Sequence, residues 1–249
     1  MPSVVTHPPR IPGPALVTGA GREREIGTAI CRALAAAGHS VAFSVAPGGD
    51  GSALAAELDA AAIEVDLADP DAPAELLDAA TERLGSLPSV LVNNAAVSVN
   101  GGYARLNAAT LDAHYAVNVR APALLSCELA RRHTAGEPGR IVCLTSGQSL
   151  GPMLGELPYA TTKAALEMFV RQLAPEAMAL GITVNAVNPG VTDTGWVTEE
   201  IRADVLPRMP AGRIGDGEDA ARLIGWLCSA DAGWVTGQVI GSEGGFIRR

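Results

Sequence analysis

Apolar residues in this chain fall into short runs, and between the runs apolar positions recur at helical spacing. The runs predict strands at Ala15–Val17, Val41–Val45, Ile63–Val65, Val90–Val92, Arg140–Thr145, Ile182–Val187 and Gln238–Ile240. The spacing predicts helices at Ile26–Ala37 (closed by Gly38), Ala53–Ala60, Asp71–Leu84, Leu111–Arg132, Tyr159–Leu180 and Glu218–Cys228. Pro175 should kink or break the fifth helix, because it lacks the N–H that a helix interior needs. Strands without polar alternation, such as Ile141-Val142-Cys143-Leu144, suit a parallel sheet covered on both faces. Strands alternating with helices imply βαβ units. The expected fold is therefore α/β, one doubly wound domain over residues 14–249 with a parallel sheet of about seven strands flanked by helices. Residues 1–13, rich in proline, read as an extended tail. Such a sheet binds ligands at the carboxyl ends of its strands.

Composition narrows the class. A chain of 249 residues, 48% apolar, fits one large α/β domain. A formal net charge of −9 argues against nucleic acid or an anionic membrane as partner. No apolar run reaches the length of a spanning helix, and the Pro-rich start lacks the apolar stretch of a signal peptide. The four cysteines are scattered and the four histidines do not join them, so no metal site is expected. Reduced buried thiols suit a cytoplasmic protein.

Chemistry gathers after the strands. The first strand leads into Thr18-Gly19-Ala20-Gly21-Arg22-Glu23-Arg24-Glu25-Ile26-Gly27 and then a helix. Glycines there let backbone N–H groups approach a pyrophosphate. Asp66, after the third strand, could accept from an adenine amine, or could simply be a helix cap or turn residue. Asn93-Asn94-Ala95-Ala96 follows the fourth strand and would let a cofactor pass close by, or form an ordinary turn. Tyr159 and Lys163, four apart on a helix, share one face. An ammonium beside a phenol would lower its pKa and make a proton-transfer pair, although such spacing also occurs in surface pairs. Ser146 ends the fifth strand, where its hydroxyl could meet a carbonyl oxygen. Asn118 lies in the apolar stretch Tyr115-Ala116-Val117-Asn118-Val119, where an asparagine needs a polar partner.

Taken together, these residues resemble the classical short-chain dehydrogenase/reductase family, with its Asn, Ser, Tyr and Lys tetrad. Ser146 stands 13 residues before Tyr159, Lys163 stands 4 after it, and Asn118 stands 41 before it, all matching the family pattern. Asn188-Pro189-Gly190-Val191-Thr192-Asp193-Thr194 resembles its nicotinamide-carboxamide loop, and Trp234–Gln238 with Gly244-Gly245 its C-terminal signature. The resemblance spans residues 15 to 246 and implies a Rossmann-type fold. It implies hydride transfer between a nicotinamide and a carbonyl or alcohol carbon. Tyr159 would be the acid/base, Ser146 would polarise the oxygen, Lys163 would also bind the ribose, and Asn118 would hold a relay water. Cofactor contacts would come from Gly19, Arg22, Ile26, Gly27, Asp66, Leu67, Asn94, Ala95, Ala96, Tyr159, Lys163, Pro189, Gly190, Val191 and Thr192. An enoyl reductase fits less well, because its Tyr-to-Lys gap is usually longer.

The turn departs from the family pattern. It is two residues longer, and Glu25 replaces its middle glycine, so Glu23 and Glu25 must point outward or pair with Arg22 and Arg24. Ser44-Val45-Ala46 lacks the carboxylate of NAD-selective members, and Arg22 could meet a 2′-phosphate, which favours NADPH over NADH. The closest overall likeness is to 3-oxoacyl-carrier-protein reductases, yet the acidic charge fits a small-molecule carbonyl or alcohol at least as well as a carrier-protein-bound substrate. Gln148, Met153, Leu154 and Trp196 are expected as substrate-pocket walls, with Val197–Met209 as a lid. The resemblance implies a homotetramer, or a dimer, built through residues 111–132 and 159–180 and the last strand. A catalytically idle dinucleotide-binding regulatory or scaffold protein of the same fold is the alternative.

Overall fold

The computed structural model describes residues 11–248. Residues 1–10 of the expected tail lie outside the described residues. Ile11 is buried against the core.

Seven strands form one all-parallel sheet in the order β3-β2-β1-β4-β5-β6-β7. They are β1 (Ala15–Thr18), β2 (Val41–Val45), β3 (Ala61–Glu64), β4 (Val90–Asn93), β5 (Gly139–Leu144), β6 (Ile182–Asn188) and β7 (Val239–Gly241). The strand order reverses between β1 and β4, which opens a crevice at their carboxyl ends.

The helices are α1 (Ile26–Ala36), α2 (Ser52–Leu58), α3 (Ala72–Leu84), α4 (Ala108–Tyr115), α5 (Ala121–Arg132), α6 (Leu157–Met178), α7 (Glu199–Val205) and α8 (Gly217–Leu227). They cover both faces of the sheet. Ala15 and Val17 of β1 face α1 and α8 among Ile30, Leu34, Ile224 and Leu227. Leu16, between them, faces the opposite layer with Leu77, Leu125, Leu129, Leu166 and Val170. Opposite orientation of successive strand side chains produces this division, and it explains why these strands are apolar throughout.

Three local readings need correction. Pro175 does not break α6, which runs through it to Met178. It sits on the exposed side, where a released carbonyl can meet water, while Val170, Ala174 and Ala177 anchor the buried side. The second helix stops at Leu58 because Asp59 adopts a left-handed conformation (φ +49°), so Ala61 and Ala62 begin β3 two residues earlier than expected. The predicted 111–132 helix starts at Ala108, capped by Asn107, and contains a π-helical stretch at Ala116–Arg120. The expected lid holds a short helix, α7, capped by Thr198. Among the described residues, no helix is long and apolar enough to cross a membrane. The four cysteines are unpaired; three are buried and Cys127 half-buried.

Candidate active site

A cleft of about 840 Å³ lies at the carboxyl ends of the strands. Its floor is the turn after β1. The amides of Gly19 and Ala20 donate to the Ser44 carbonyl (3.1 and 3.0 Å), and Gly19 N also reaches Ser44 Oγ (3.1 Å). Thr18 Oγ1 accepts from Asn94 N and Ala95 N (3.0 and 3.1 Å). Asn94 Nδ2 donates back to the Thr18 and Gly19 carbonyls (3.1 and 2.6 Å). The ends of β1 and β4 are thereby locked side by side. Gly19 has φ +74°, and a Cβ there would stand 2.7 Å from Ala95 Cα, so only glycine fits. Asn94 therefore works as a clamp on the turn, and Thr18 and Ser44 are supports of it that the sequence reading did not single out.

The extra length of the turn is absorbed by ion pairs. Glu25 faces the cleft, but Arg22 Nε donates to it (2.7 Å), as expected. Glu23 pairs with Arg32 of α1 instead of Arg24. Arg24 reaches across to Asp193 in the loop after β6 (2.8 Å), and Arg202 of α7 holds the same carboxylate (3.1 Å). Hydrogen bonding by Gly195 N, with both arginines nearby, holds the Asp193 carboxyl below its usual range.

Val65, Asp66, Leu67, Ala95 and Ala96 line the far part of the cleft. Asp66 Oδ1 also accepts from Ala68 N (2.9 Å), the turn role that its position allowed. Pro189 and Thr194 also line the cleft, whereas Gly190, Val191 and Thr192, in the turn between them, do not. Gly27 supports the floor from behind.

Tyr159, Lys163 and Ser146 come together at the inner end. β5 delivers Ser146, and the first turns of α6 deliver the other two. Ser146 stands close enough to the Tyr159 phenol to pull its pKa down, and the Ser146 hydroxyl donates to Met153 Sδ (3.7 Å). Lys163 is fully enclosed; its Nζ donates to the Leu144 carbonyl (2.7 Å) and lies 5.6 Å from the centre of the Tyr159 ring. Burial pushes the Lys163 ammonium down to about 8. The expected lowering of the phenol is not found. Burial pushes Tyr159 up to about 12; the Ser146 hydrogen bond opposes this and the charge of Glu156 adds to it. Desolvation is the largest influence on the phenol, and the Lys163 ammonium is directed at the Leu144 carbonyl.

Asn118 sits in the π-helical stretch, completely buried. Its Oδ1 accepts from Val97 N (2.8 Å), and its Nδ2 donates to Val97 O (2.8 Å) and Thr162 Oγ1 (3.0 Å). It thus ties the loop following β4 to α6, next to Lys163. Of the expected substrate walls, Gln148 is turned onto Glu167 of α6. Trp196 Nε1 donates to the Thr192 carbonyl (2.8 Å) and its ring is half exposed, while Leu154 is almost fully exposed.

The lining suits a dinucleotide: a turn without side chains at one stretch, apolar walls at Val65, Leu67 and Val117, and a buried ammonium at the end. Residues 19–247 match the family described as enoyl-(acyl carrier protein) reductase. A short-chain dehydrogenase/reductase of Serratia marcescens superposes with a TM-score of 0.87 at 34% identity, covering 96% of this chain and 99% of that one. This chain is a short-chain dehydrogenase/reductase. It thus belongs to a family of NAD(P)-dependent oxidoreductases. The uncharacterized oxidoreductase YjdA of Bacillus subtilis is 47% identical to it over 243 residues, 94% of this chain and 96% of that protein. A short-chain dehydrogenase of Burkholderia cenocepacia in complex with NADP superposes with a TM-score of 0.86 at 34% identity, covering 94% and 97%. The structural likeness extends over almost the whole short-chain dehydrogenase/reductase domain.

Proposed function

We propose that this protein interconverts a ketone and a secondary alcohol with NADPH, using Tyr159 as the acid/base. The convergence of Tyr159, Ser146 and Lys163 at the inner end of the cleft carries this reading. When bound, the dinucleotide supplies or accepts the hydride, and its oxidised ring adds a positive charge. In reduction, Tyr159 donates its proton to the carbonyl oxygen as charge develops there, and Ser146 Oγ hydrogen-bonds the same oxygen. A phenol with a pKa near 12 is protonated at neutral pH, the state that reduction requires. Lys163 uses one donor on Leu144 O, leaving two for the ribose hydroxyls and the phenol side of the site. Asn118 holds the Val97 loop against α6, and a relay water would meet the backbone of its widened turn. A tyrosine and lysine one α-helical turn apart place the proton beside a polar C=O, which favours a carbonyl over a carbon–carbon double bond.

NADPH is favoured because the loop from Ala46 to Gly49 carries no carboxylate, and Asp50 beyond it is engaged by Ser52 N. Arg22 stands at the cleft lip. The Burkholderia relative with NADP points the same way. The substrate is proposed as a small carbonyl compound, with a carrier-protein thioester as the competing form. We place the protein in the cytoplasm as a homotetramer or dimer. Partly exposed Leu111, Leu124 and Met168 on the helices expected to pair support that assembly.

The test is NADPH consumption over a panel of aliphatic ketones, aromatic ketones and 3-oxo thioesters, beside NADPH and NADH titrations followed by fluorescence. Tyr159→Phe should abolish turnover while NADPH binding changes by less than about threefold. Tight NADPH binding without turnover of any carbonyl would replace this reading with that of a regulatory or scaffold protein.

A further inference from the structure

Beyond β7 the chain folds back against the end of β6 and the end of the lid. Ser242 N donates to Asn188 O (2.8 Å), and Ile247 N donates to Arg208 O (2.9 Å). Phe246 is held between two guanidinium groups, Arg208 and Arg248, 5.1 and 5.3 Å from its ring centre. It packs with Val205 and Met209 of the lid and with Ile214 beyond it. Arg248 then turns inward and makes a two-point ion pair with Glu243. Their side chains are only 23% and 13% exposed.

Two glycines show where this pair sits. A Cβ on Gly147 would clash with Nη2 of Arg248 and stand 3.2 Å from its Cζ. A Cβ on Gly190 would stand 2.9 Å from Glu243 Cα. The pair therefore lies on the residue that follows Ser146 and on the loop that follows Asn188. From the other side, Glu167 of α6 accepts from Gln148 Nε2 and Ser149 Oγ, gripping the same short turn, Gly147–Ser149.

We propose that Glu243 and Arg248 are positioning residues for Ser146. They brace the turn behind it, so that its hydroxyl stays against Tyr159, and neither residue touches the substrate. This rests on the roles proposed above for Ser146 and Tyr159. An exposed ion pair would do little. This one is largely buried and two-pronged, so losing either partner strands the other charge and frees the C-terminal segment. Misplacing a reacting group by about 1 Å costs up to about 100-fold in rate.

The experiment compares Arg248→Ala, Glu243→Ala, the double variant, Arg248→Lys and Ser146→Ala, using the most rapidly reduced ketone of the panel. Each is measured for kcat, KM, NADPH affinity, melting temperature and the pH profile of turnover. The alanine variants should lose about 10- to 100-fold in kcat with NADPH affinity within about twofold. The double variant should be no worse than either single one, and Arg248→Lys should recover part of the loss. Because the Ser146 hydrogen bond pulls the Tyr159 phenol down while Glu156 pushes it up, the alkaline limb should move to higher pH in the alanine variants. Unchanged kcat and pH profile in Arg248→Ala, with Ser146→Ala inactive, would overturn the brace alone. Turnover retained by Ser146→Ala would overturn the role of Ser146 and the brace with it. Loss of activity that only follows loss of melting temperature or of NADPH binding would also overturn it.

Discussion

Replacing Gly27 with alanine should damage the fold and the cofactor site together. The added Cβ would stand 2.7 Å from Asn94 Nδ2 and 3.0 Å from the Gly19 carbonyl carbon, and closer still to the Gly19 oxygen. None of these neighbours is free to move. The Asn94 amide is bonded to the Thr18 and Gly19 carbonyls, and Gly19 is pinned to Ser44. Helix α1 must therefore shift off β1 by roughly 1 Å, against the Ile30 and Leu34 packing that joins it to α8. Overpacking of this kind costs about 1–3 kcal/mol. Alanine returns at most about 1 kcal/mol of helix propensity. A net loss of about 1–2 kcal/mol lowers the melting temperature by about 2–8 °C in a chain of this size. NADPH affinity should fall by about tenfold or more, because the displaced turn can no longer meet a pyrophosphate closely. Gly225→Ala is the control: its Cβ would meet only Ala33 Cβ, at 4.0 Å, so it should be neutral or stabilising. Thermal melts with and without NADPH, plus a fluorescence titration, measure both effects. A Gly27→Ala protein that melts and binds NADPH like the wild type would refute the reasoning.

Other perturbations test separate parts of the site. Asn118→Ala leaves the Val97 N–H and C=O without their partner, so urea unfolding should show a loss of about 2–4 kcal/mol; an unchanged midpoint would contradict the clamp. Lys163 titrates near 8 in the folded protein and near its ordinary value of about 10.4 when unfolded. Between these values the unfolded chain binds more protons, so the wild type gains stability as pH rises through that window, and below about 8 the gain is absent. The raised Tyr159 acts in the opposite sense only above about pH 10. The urea midpoint of the wild type should therefore rise relative to that of Lys163→Met from about pH 7.5 to about pH 9.5, and a constant difference counts against a buried ammonium. Arg24→Ala opens the link between the phosphate turn and the lid. Stopped-flow release of NADPH should quicken by no more than about fivefold, with the difference vanishing at high salt. A slower release would reverse the argument.

The layered architecture was legible because its strands are apolar on both faces, a pattern that only a covered parallel sheet produces. The grouping of Ser146, Tyr159 and Lys163 was legible because its spacing is fixed by one helix and one strand end. What escaped the sequence lies in long-range partnerships and backbone geometry. Arg24 finds Asp193 169 residues away, and local charge alternation pointed to a nearer partner. Gln148 meets Glu167 only because α6 passes behind the Ser146 turn. Asp59 in a left-handed conformation ended α2 early, a position where glycine is the usual signal. The phenol was expected to be more acidic, since spacing reveals a neighbouring charge but not how deeply the pair is buried.

The π-helical stretch Ala116–Arg120 has a consequence for how this enzyme can change over generations. Such a stretch holds one residue more than regular helical geometry accommodates. Deleting that residue would restore continuous i to i−4 bonding and yield a sturdier rod. It would also rotate everything on one side of the cut by roughly 100°, so that either α4 or the Asn118 side chain would leave its seat. A lineage that trims this stretch would therefore also have to replace the tie that Asn118 makes to Val97 and Thr162.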